Sequence, residues 1–186
     1  WIIQNAFSMC TECRKYYPEF RVSINLSYVQ ILKSPLMMEL KQIIDHSGIS
    51  CSGIIVELTE SGYLEGTPAV RSVWNDMKQL RIQIALDDFG TGYSNLMNIS
   101  NLEPDIVKLD RGFTLKALSR SYEYQLMQYV IEMVHKLNQY VCVEGVETKE
   151  DLEKIKALGP DLIQGYYYSK PCSRDEFLKK FFDYSE

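Results

Sequence analysis

The chain has 186 residues, enough for one domain with a core of its own, and its 46% hydrophobic and 24% charged residues are ordinary for a globular protein. The net charge of −5 argues against non-specific binding to a nucleic-acid backbone, so we expect no DNA partner. No apolar run reaches the roughly 20 residues of a membrane helix. We therefore expect no membrane contact by this segment and a cytoplasmic location, alone or as the cytoplasmic part of a larger, membrane-anchored protein.

Helical and extended patterns alternate along the chain. Strands are predicted at 20–26, 53–58, 81–86, 105–109, 140–143 and 161–165. Helices are predicted at 1–17, 28–46 with an interruption near Pro35, 67–80, 114–138, 148–158 and 173–183. Thr67 is the predicted N-cap of the third helix, with Pro68 at its first position. Gly159 and Pro160 are predicted to end the helix at 148–158.

The alternation of elements predicts the fold class. Strands separated mainly by helices form parallel sheets with right-handed crossovers, and no GxGxxG or Walker A pattern supports a doubly wound nucleotide-binding fold. We predict fold class α/β: a TIM-like (β/α)8 barrel, incomplete, with about six βα units present and the first strands missing. Because such barrels typically have about 250 residues, we expect residues 1–186 to be a single domain that is truncated at its N-terminus.

The two cysteines of a CxxC sequence, Cys10 and Cys13, are the first candidate ligands in the chain. A zinc site would need a second ligand pair, and neither histidine lies at a matching spacing. The five cysteines are odd in number and scattered, which is typical of reduced thiols. We therefore assign the pair a structural role.

Polar residues lie at or directly beside the carboxyl end of every predicted strand. A (β/α)8 barrel places its active site at the carboxyl ends of its strands, so these residues are candidates for chemistry. They are Asn25, Glu57, Asp87 with Asp88, Lys108, Glu144 and Gln164. The oxygen ligands among them suit Mg²⁺ or Mn²⁺, and the lysine could neutralise charge or orient a water. The pattern predicts metal-assisted hydrolysis of a phosphodiester, in which two cations activate water and stabilise the attacking and leaving oxygens.

Each candidate also has a purely structural interpretation. Asp87 and Asp88 could cap a turn, Lys108 could form a surface ion pair with Asp110, and Glu144 could be a loop charge. Asn25 could belong to the N-cap of the next helix.

Six stretches, taken together, carry a resemblance to a known family. They are VSINLS at 22–27, ELTE at 57–60, DDFGTGYS at 87–94, VKLD at 107–110, EGVE at 144–147 and QGYYYSKP at 164–171. In this order and with this spacing they resemble the successive motifs of EAL-domain cyclic di-GMP phosphodiesterases, over essentially the whole chain. The resemblance implies an enzyme that hydrolyses this bacterial second messenger to linear pGpG with Mg²⁺ or Mn²⁺ at a two-metal site.

The resemblance also implies a set of metal ligands. Asn25, Glu57 and Asp87 would hold the first metal ion. Asp87 would bridge to the second, which it would share with Asp88 and Glu144.

Catalytic and supporting roles follow from the same resemblance. Glu144 and Lys108 would position and deprotonate the attacking water. The remaining candidates would support the substrate, the active-site network or the loop after Asp88, and they are Glu60, Asp110, Glu147 and Gln164.

One motif of the family is absent from residues 1–186: the Glu-Ala-Leu sequence that gives the family its name, with its metal-binding glutamate. We therefore expect the intact domain to be active and residues 1–186 alone to have little or no activity. The alternative is a degenerate module that binds cyclic di-GMP or regulates without cleaving it. An unrelated Mg²⁺-dependent, enolase-like barrel is a third interpretation.

Two further partners are expected. The resemblance implies a homodimer, and exposed sheet edges would favour edge-to-edge association. EAL domains are commonly joined to other domains, so we expect an upstream sensory or GGDEF domain in the full-length protein.

Overall fold

The computed structural model describes residues 1–27, 29–30, 35–59, 68–91, 99 and 103–182. The chain divides into two compact units. Unit 1 contains Trp1–Leu58, Glu65–Ile84 and Pro171–Glu186, and unit 2 contains Thr59–Leu64 and Ala85–Lys170.

Helices and strands alternate in both units. Among the described residues, the helices are α1 (Ile2–Cys13), α2 (Leu36–Ser47), α3 (Pro68–Gln79), α4 (Arg111–Ser119), α5 (Ser121–Lys136), α6 (Lys149–Lys156) and α7 (Arg174–Phe182). The strands are β1 (Val22–Leu26), β2 (Ile54–Thr59), β3 (Gln83–Phe89), β4 (Ile106–Leu109), β5 (Tyr140–Glu144) and β6 (Leu162–Gln164). None of the helices in these ranges is long and apolar enough to cross a membrane.

In unit 1, β1 and β2 pair in parallel with Asn25 opposite Glu57. Burial alternates along β1, where Ile24 and Leu26 face the core and Asn25 is exposed. The hydrophobic residues at every second position therefore fix which face of the strand carries the polar side chains.

Helix α1 lies in unit 1 and packs against α2, β1 and α7. Its Cys10 and Cys13 are buried free thiols, and burial raises the pKa of both. Phe7 is fully buried on the same face of the helix. The CxxC sequence therefore belongs to the packed face of α1.

In unit 2, β4 pairs in parallel with β3 on one side and β5 on the other, and β5 pairs with β6. All four residues of β4 are buried, as expected for a central strand of a parallel sheet covered on both faces. Three of them are apolar and the fourth is Lys108. The predicted α/β class with parallel strands is confirmed.

The end of β3 differs from the prediction. The strand continues through Asp87 and Asp88 to Phe89, and its register with β4 shifts between Leu86 and Phe89. Asp88 has φ +60°, in the left-handed region. A bulge of this kind changes the direction of side chains and is common next to active sites. The run of apolar residues stops at Leu86, so the sequence pattern predicts the end of the strand there and does not reveal the bulge.

The predicted helix at 114–138 is wrong, because two helices occupy this region. Arg120 is extended, with φ −139° and ψ 131°, and separates α4 from α5. The hydroxyl of Ser119 donates to the carbonyl groups of Leu115 and Lys116, which offers the backbone an alternative to continued helix. The spacing of apolar residues continues across the break and hides it.

The other predicted elements agree with the structure except at their ends. Helix α3 begins at Pro68 as predicted, while Thr67 lies outside the described residues. Helix α2 begins at Leu36, directly after Pro35, and most of the residues predicted to precede it in the helix lie outside the described ranges. Thr148 and Asp151 form a capping box that starts α6.

Candidate active site

A buried lysine holds two carboxylates together in unit 2. Lys108 is only 5% exposed, and its Nζ lies 3.0 Å from Asp87 Oδ1 and 2.7 Å from Glu144 Oε1. The three residues lie on adjacent strands β3, β4 and β5. A charged side chain is almost never buried without paired charges, so this triad accounts for a lysine inside a central strand. Its burial excludes the interpretation of Lys108 as a surface ion-pair residue.

Asp87 and Asp88 are only partly buried, at the bulge of β3. The Asp88 backbone N–H donates to Asp87 Oδ1 at 3.0 Å, so the Asp87 carboxylate receives both a backbone hydrogen bond and the Lys108 charge. The left-handed conformation of Asp88 is unusual for a residue with a side chain. Strained backbone of this kind is often found at functional sites.

Asp110 caps the helix that follows β4. Its Oδ1 accepts a hydrogen bond from Gly112 N at 2.7 Å, and its own N–H donates to Phe89 O at 3.0 Å. Asp110 therefore ties the end of β3 to the start of α4.

Glu147 pairs with a residue that the sequence did not single out. Its Oε1 accepts from Arg111 Nε at 3.1 Å and Nη2 at 2.7 Å, and this pairing raises the pKa of the arginine. Arg111 is the first residue of α4, where a positive charge is unfavourable next to the helix dipole. A positive charge at the start of a predicted helix is the sequence signal by which Arg111 could have been identified.

Gln164 contributes its backbone to this part of unit 2. Its carbonyl accepts from Val146 N at 3.2 Å, while its side chain is exposed. The next residue, Gly165, lies so close to Val146 that an added Cβ would stand 2.5 Å from Val146 N and 2.7 Å from Val146 C. The ends of β5 and β6 are therefore joined through backbone contacts.

In unit 1, Glu57 is 7% exposed and is the register partner of Asn25. Its Oε1 accepts a hydrogen bond from the hydroxyl of Ser23. Sequence reasoning missed Ser23, although its position two residues before Asn25 places it on the same face of β1. Glu60, the remaining candidate, lies outside the described residues.

The donor atoms suit a hard divalent cation. Carboxylate oxygens are the ligands that Mg²⁺ and Mn²⁺ prefer, and the ammonium group of Lys108 already places a positive charge between Asp87 and Glu144. Within the described ranges, no group of three or more His, Cys, Asp or Glu side chains is arranged to hold a metal ion. The residue types present are therefore those that bind Mg²⁺ or Mn²⁺. Lys108 balances the negative charge of two of them, Asp87 and Glu144.

Comparison with known proteins identifies the class. The EAL domain family model matches residues 1–171, and the chain belongs to the EAL domain family. The chain is 31% identical over 171 residues to the cyclic di-GMP phosphodiesterase PdeF of Escherichia coli (strain K12), which covers 92% of this chain and 23% of that protein. It is 26% identical to the bifunctional diguanylate cyclase/cyclic di-GMP phosphodiesterase MucR of Pseudomonas aeruginosa, covering 96% of this chain and 26% of that protein.

A solved structure extends the comparison to the fold. The chain resembles the EAL enzyme Bd1971 in its cAMP and cyclic-di-GMP bound form, with a TM-score of 0.90 and 28% identity over 96% of this chain and 50% of that one. The match confirms the predicted fold class, a TIM-like (β/α)8 barrel that is incomplete, with six strands among the described residues. The chain spans about a quarter of the length of the curated relatives PdeF and MucR.

Proposed function

We propose that the protein hydrolyses cyclic di-GMP to linear pGpG in a reaction that depends on Mg²⁺ or Mn²⁺. The observation that carries the proposal is the buried triad of Asp87, Lys108 and Glu144 in a chain of the EAL family. A relative is named as a cyclic di-GMP phosphodiesterase, and a structural neighbour is described as bound to cyclic di-GMP. Both names support this choice of substrate.

Under this proposal, a divalent cation would supply Lewis-acid stabilisation of the phosphodiester oxygens and make water a better nucleophile. Asp87, Asp88 and Glu144 would provide ligands in unit 2. Asn25 and Glu57 would provide ligands as the family resemblance implies, and the Ser23 hydroxyl would orient the Glu57 carboxylate.

The protein's own residues would handle the proton. The Glu144 carboxylate would accept a proton from the attacking water, as a general base. Lys108 would hold Glu144 and Asp87 in place through its ion pairs and limit the repulsion between the two carboxylates. Glu60, Asp110, Glu147 and Gln164 would support the substrate, the network and the loop after Asp88.

The test is hydrolysis of cyclic di-GMP by the full-length protein with Mg²⁺ or Mn²⁺, followed by chromatography of the nucleotides. We expect Glu144→Gln and Asp87→Asn to lower kcat at least about 100-fold, because each change removes a proton acceptor or metal ligand. Glu153→Gln, an exposed position on α6, is the matched control and should retain activity within about two-fold. Normal turnover by Glu144→Gln would refute the assignment.

A non-catalytic function is the second candidate. It is favoured by the described parts of the chain, in which no group of three or more His, Cys, Asp or Glu side chains is arranged to hold a metal ion. A full-length protein that binds cyclic di-GMP in calorimetry but releases no pGpG would establish this degenerate module instead. For residues 1–186 expressed alone, we expect little or no hydrolysis, and robust Mg²⁺-dependent turnover would contradict that expectation.

We also propose that the protein acts as a homodimer, or associates edge to edge, and that it works with another domain. The relative MucR is named as both a cyclase and a phosphodiesterase, which supports an upstream GGDEF or sensory domain. Light scattering of the full-length protein tests the dimer, and a monomer at all concentrations would contradict it.

A further inference from the structure

Two ion pairs join the β4–α4 segment to β5 and the residues that follow it, and the two pairs have the same separation along the chain. Lys108 and Glu144 form the first, at 2.7 Å. Arg111 and Glu147, each three residues further along the chain, form the second, also at 2.7 Å. We call Lys108–Glu144 the inner pair and Arg111–Glu147 the outer pair, because the side chains of Lys108 and Glu144 are 6% and 16% exposed whereas the side chains of Arg111 and Glu147 are 57% and 38% exposed.

The outer pair does more than connect two charges. The Arg111 chain lies across Gly145, and a Cβ added at Gly145 would stand 2.8 Å from Arg111 Cβ and 3.1 Å from Arg111 Cα. Gly145 also has φ +78°, a conformation that favours glycine. The residue next to Glu144 is thus held directly against the start of α4.

Further contacts fix both sides of this junction. Asp110, which precedes Arg111, donates its N–H to Phe89 O at 3.0 Å. Val146, which precedes Glu147, is fully buried, donates to Gln164 O at 3.2 Å and accepts from Tyr167 N at 3.0 Å. The outer pair therefore connects two backbone segments, before Arg111 and before Glu147, that other hydrogen bonds already hold in place.

We propose that Arg111 is a positioning residue for the reaction: its pairing with Glu147 through two guanidinium nitrogens sets the placement of Glu144 relative to Lys108. This inference rests on the proposed function for its kinetic consequences. An exposed ion pair adds little to global stability, so its effect should appear in the geometry of the inner pair. Two nitrogens of one planar guanidinium meet one carboxylate oxygen, and lysine cannot reproduce that arrangement.

The experiment compares Arg111→Gln, Arg111→Lys and Glu147→Gln in the full-length protein. We expect Arg111→Gln and Glu147→Gln each to lower kcat about 10-fold with KM within about two-fold, because residues that orient metal ligands typically contribute 10- to 100-fold. Arg111→Lys should fall between Arg111→Gln and the wild type. The double variant should be no worse than either single one, since both changes remove the same pairing.

A charge exchange and a matched control sharpen the test. Arg111→Glu combined with Glu147→Arg should recover part of the kcat lost by Arg111→Glu alone, a rescue that a merely exposed charge would not show. Arg120→Gln removes another arginine–glutamate pair, in which the arginine is exposed and Glu123 lies at 3.2 Å, and should leave kcat within about two-fold of the wild type. An unchanged kcat in Arg111→Gln, or effects of the single variants that multiply, would overturn the proposal. A raised KM with normal kcat would also overturn it, because Arg111 would then contact the substrate.

Binding of Mn²⁺ separates this inference from the proposed function. Calorimetry with Mn²⁺ alone should show about 10-fold weaker binding to Arg111→Gln than to the wild type and to Arg120→Gln. A wild type that hydrolyses nothing would refute the phosphodiesterase proposal, while weakened Mn²⁺ binding in Arg111→Gln would still support the positioning role. Equal Mn²⁺ affinity in all three proteins would refute it.

Discussion

Both ends of the parallel strands in unit 2 carry carboxylates that contact a neighbouring element, but in different surroundings. At the carboxyl ends, Lys108 pairs with Asp87 and Glu144, and the side chains are 6%, 13% and 16% exposed. At the amino ends, Asp161 Oδ2 accepts from Val141 N at 2.7 Å and lies 2.9 Å from His135 Nε2. His135 and Asp161 are 37% and 32% exposed.

Burial separates these two regions. The Asp161 side chain joins α5, β5 and the start of β6 from a partly exposed position, where water screens its charge. The Lys108 contacts remove three charges from most of the solvent, an arrangement that folding alone does not require and that is typical of functional sites. A carboxylate at a strand end therefore points to a functional site when its partners are buried with it.

The largest effect on stability should come from Lys108→Met. The change leaves Asp87 and Glu144 close together without their shared cation, and removal of one partner from a buried ion pair costs about 3 kcal/mol or more. Chemical denaturation in the presence of EDTA measures the free energy of unfolding. Added Mn²⁺ should stabilise this variant more than the wild type, because a bound cation replaces the missing charge.

Lys136→Met is the matched control for that change. Lys136 is exposed in the last turn of α5, so the same substitution there should change the free energy of unfolding by about 0.5 kcal/mol or less. Equal stability of Lys108→Met and the wild type would show that the carboxyl ends of the strands are no different from the amino ends.

A smaller effect is expected from Gly165→Ala, at the carboxyl end of β6. The added methyl group would meet backbone atoms of Val146, which must shift, and overpacking of this kind costs about 2 kcal/mol. Gly159→Ala, before the amino end of β6, provides the comparison because its Cβ would meet nothing within 4 Å while φ is +73°. It should cost about 1 kcal/mol from backbone strain alone. Thermal unfolding of both variants measures these losses of stability. A larger loss in Gly159→Ala than in Gly165→Ala would contradict the expected order.

An effect smaller than that of Gly165→Ala is expected from Asp161→Ala. It removes the acceptor for Val141 N and the partner of His135, and a lost hydrogen bond of this type costs about 1 kcal/mol. Under the proposed function, hydrolysis of cyclic di-GMP by Asp161→Ala should stay within about two-fold of the wild type. A loss of activity comparable to that of Glu144→Gln, at unchanged stability, would place function at both ends of the strands.

Periodicity located the elements better than their ends. The alternation of Val22, Ile24 and Leu26 identified β1, and Pro68 marked the start of α3. The bulge at Asp88 and the break between helices at Arg120 were not predicted, because each depends on a local backbone conformation that the spacing of apolar residues does not show. The placement of Glu60 remains a prediction, since it lies outside the described residues.

The sequence by itself determined the class of the protein: the order of strands and helices, the polar residues at the strand ends, and the ordered motifs that mark the EAL family. Only the tertiary structure decided which charges meet. Lys108 could have faced solvent beside Asp110, but the parallel register of β4 with its neighbours buries it between Asp87 and Glu144. Arg111 and Glu147 are 36 residues apart in the sequence, yet their side chains pair because Gly145 allows the residues after β4 and β5 to approach closely. No local sequence pattern encodes this contact.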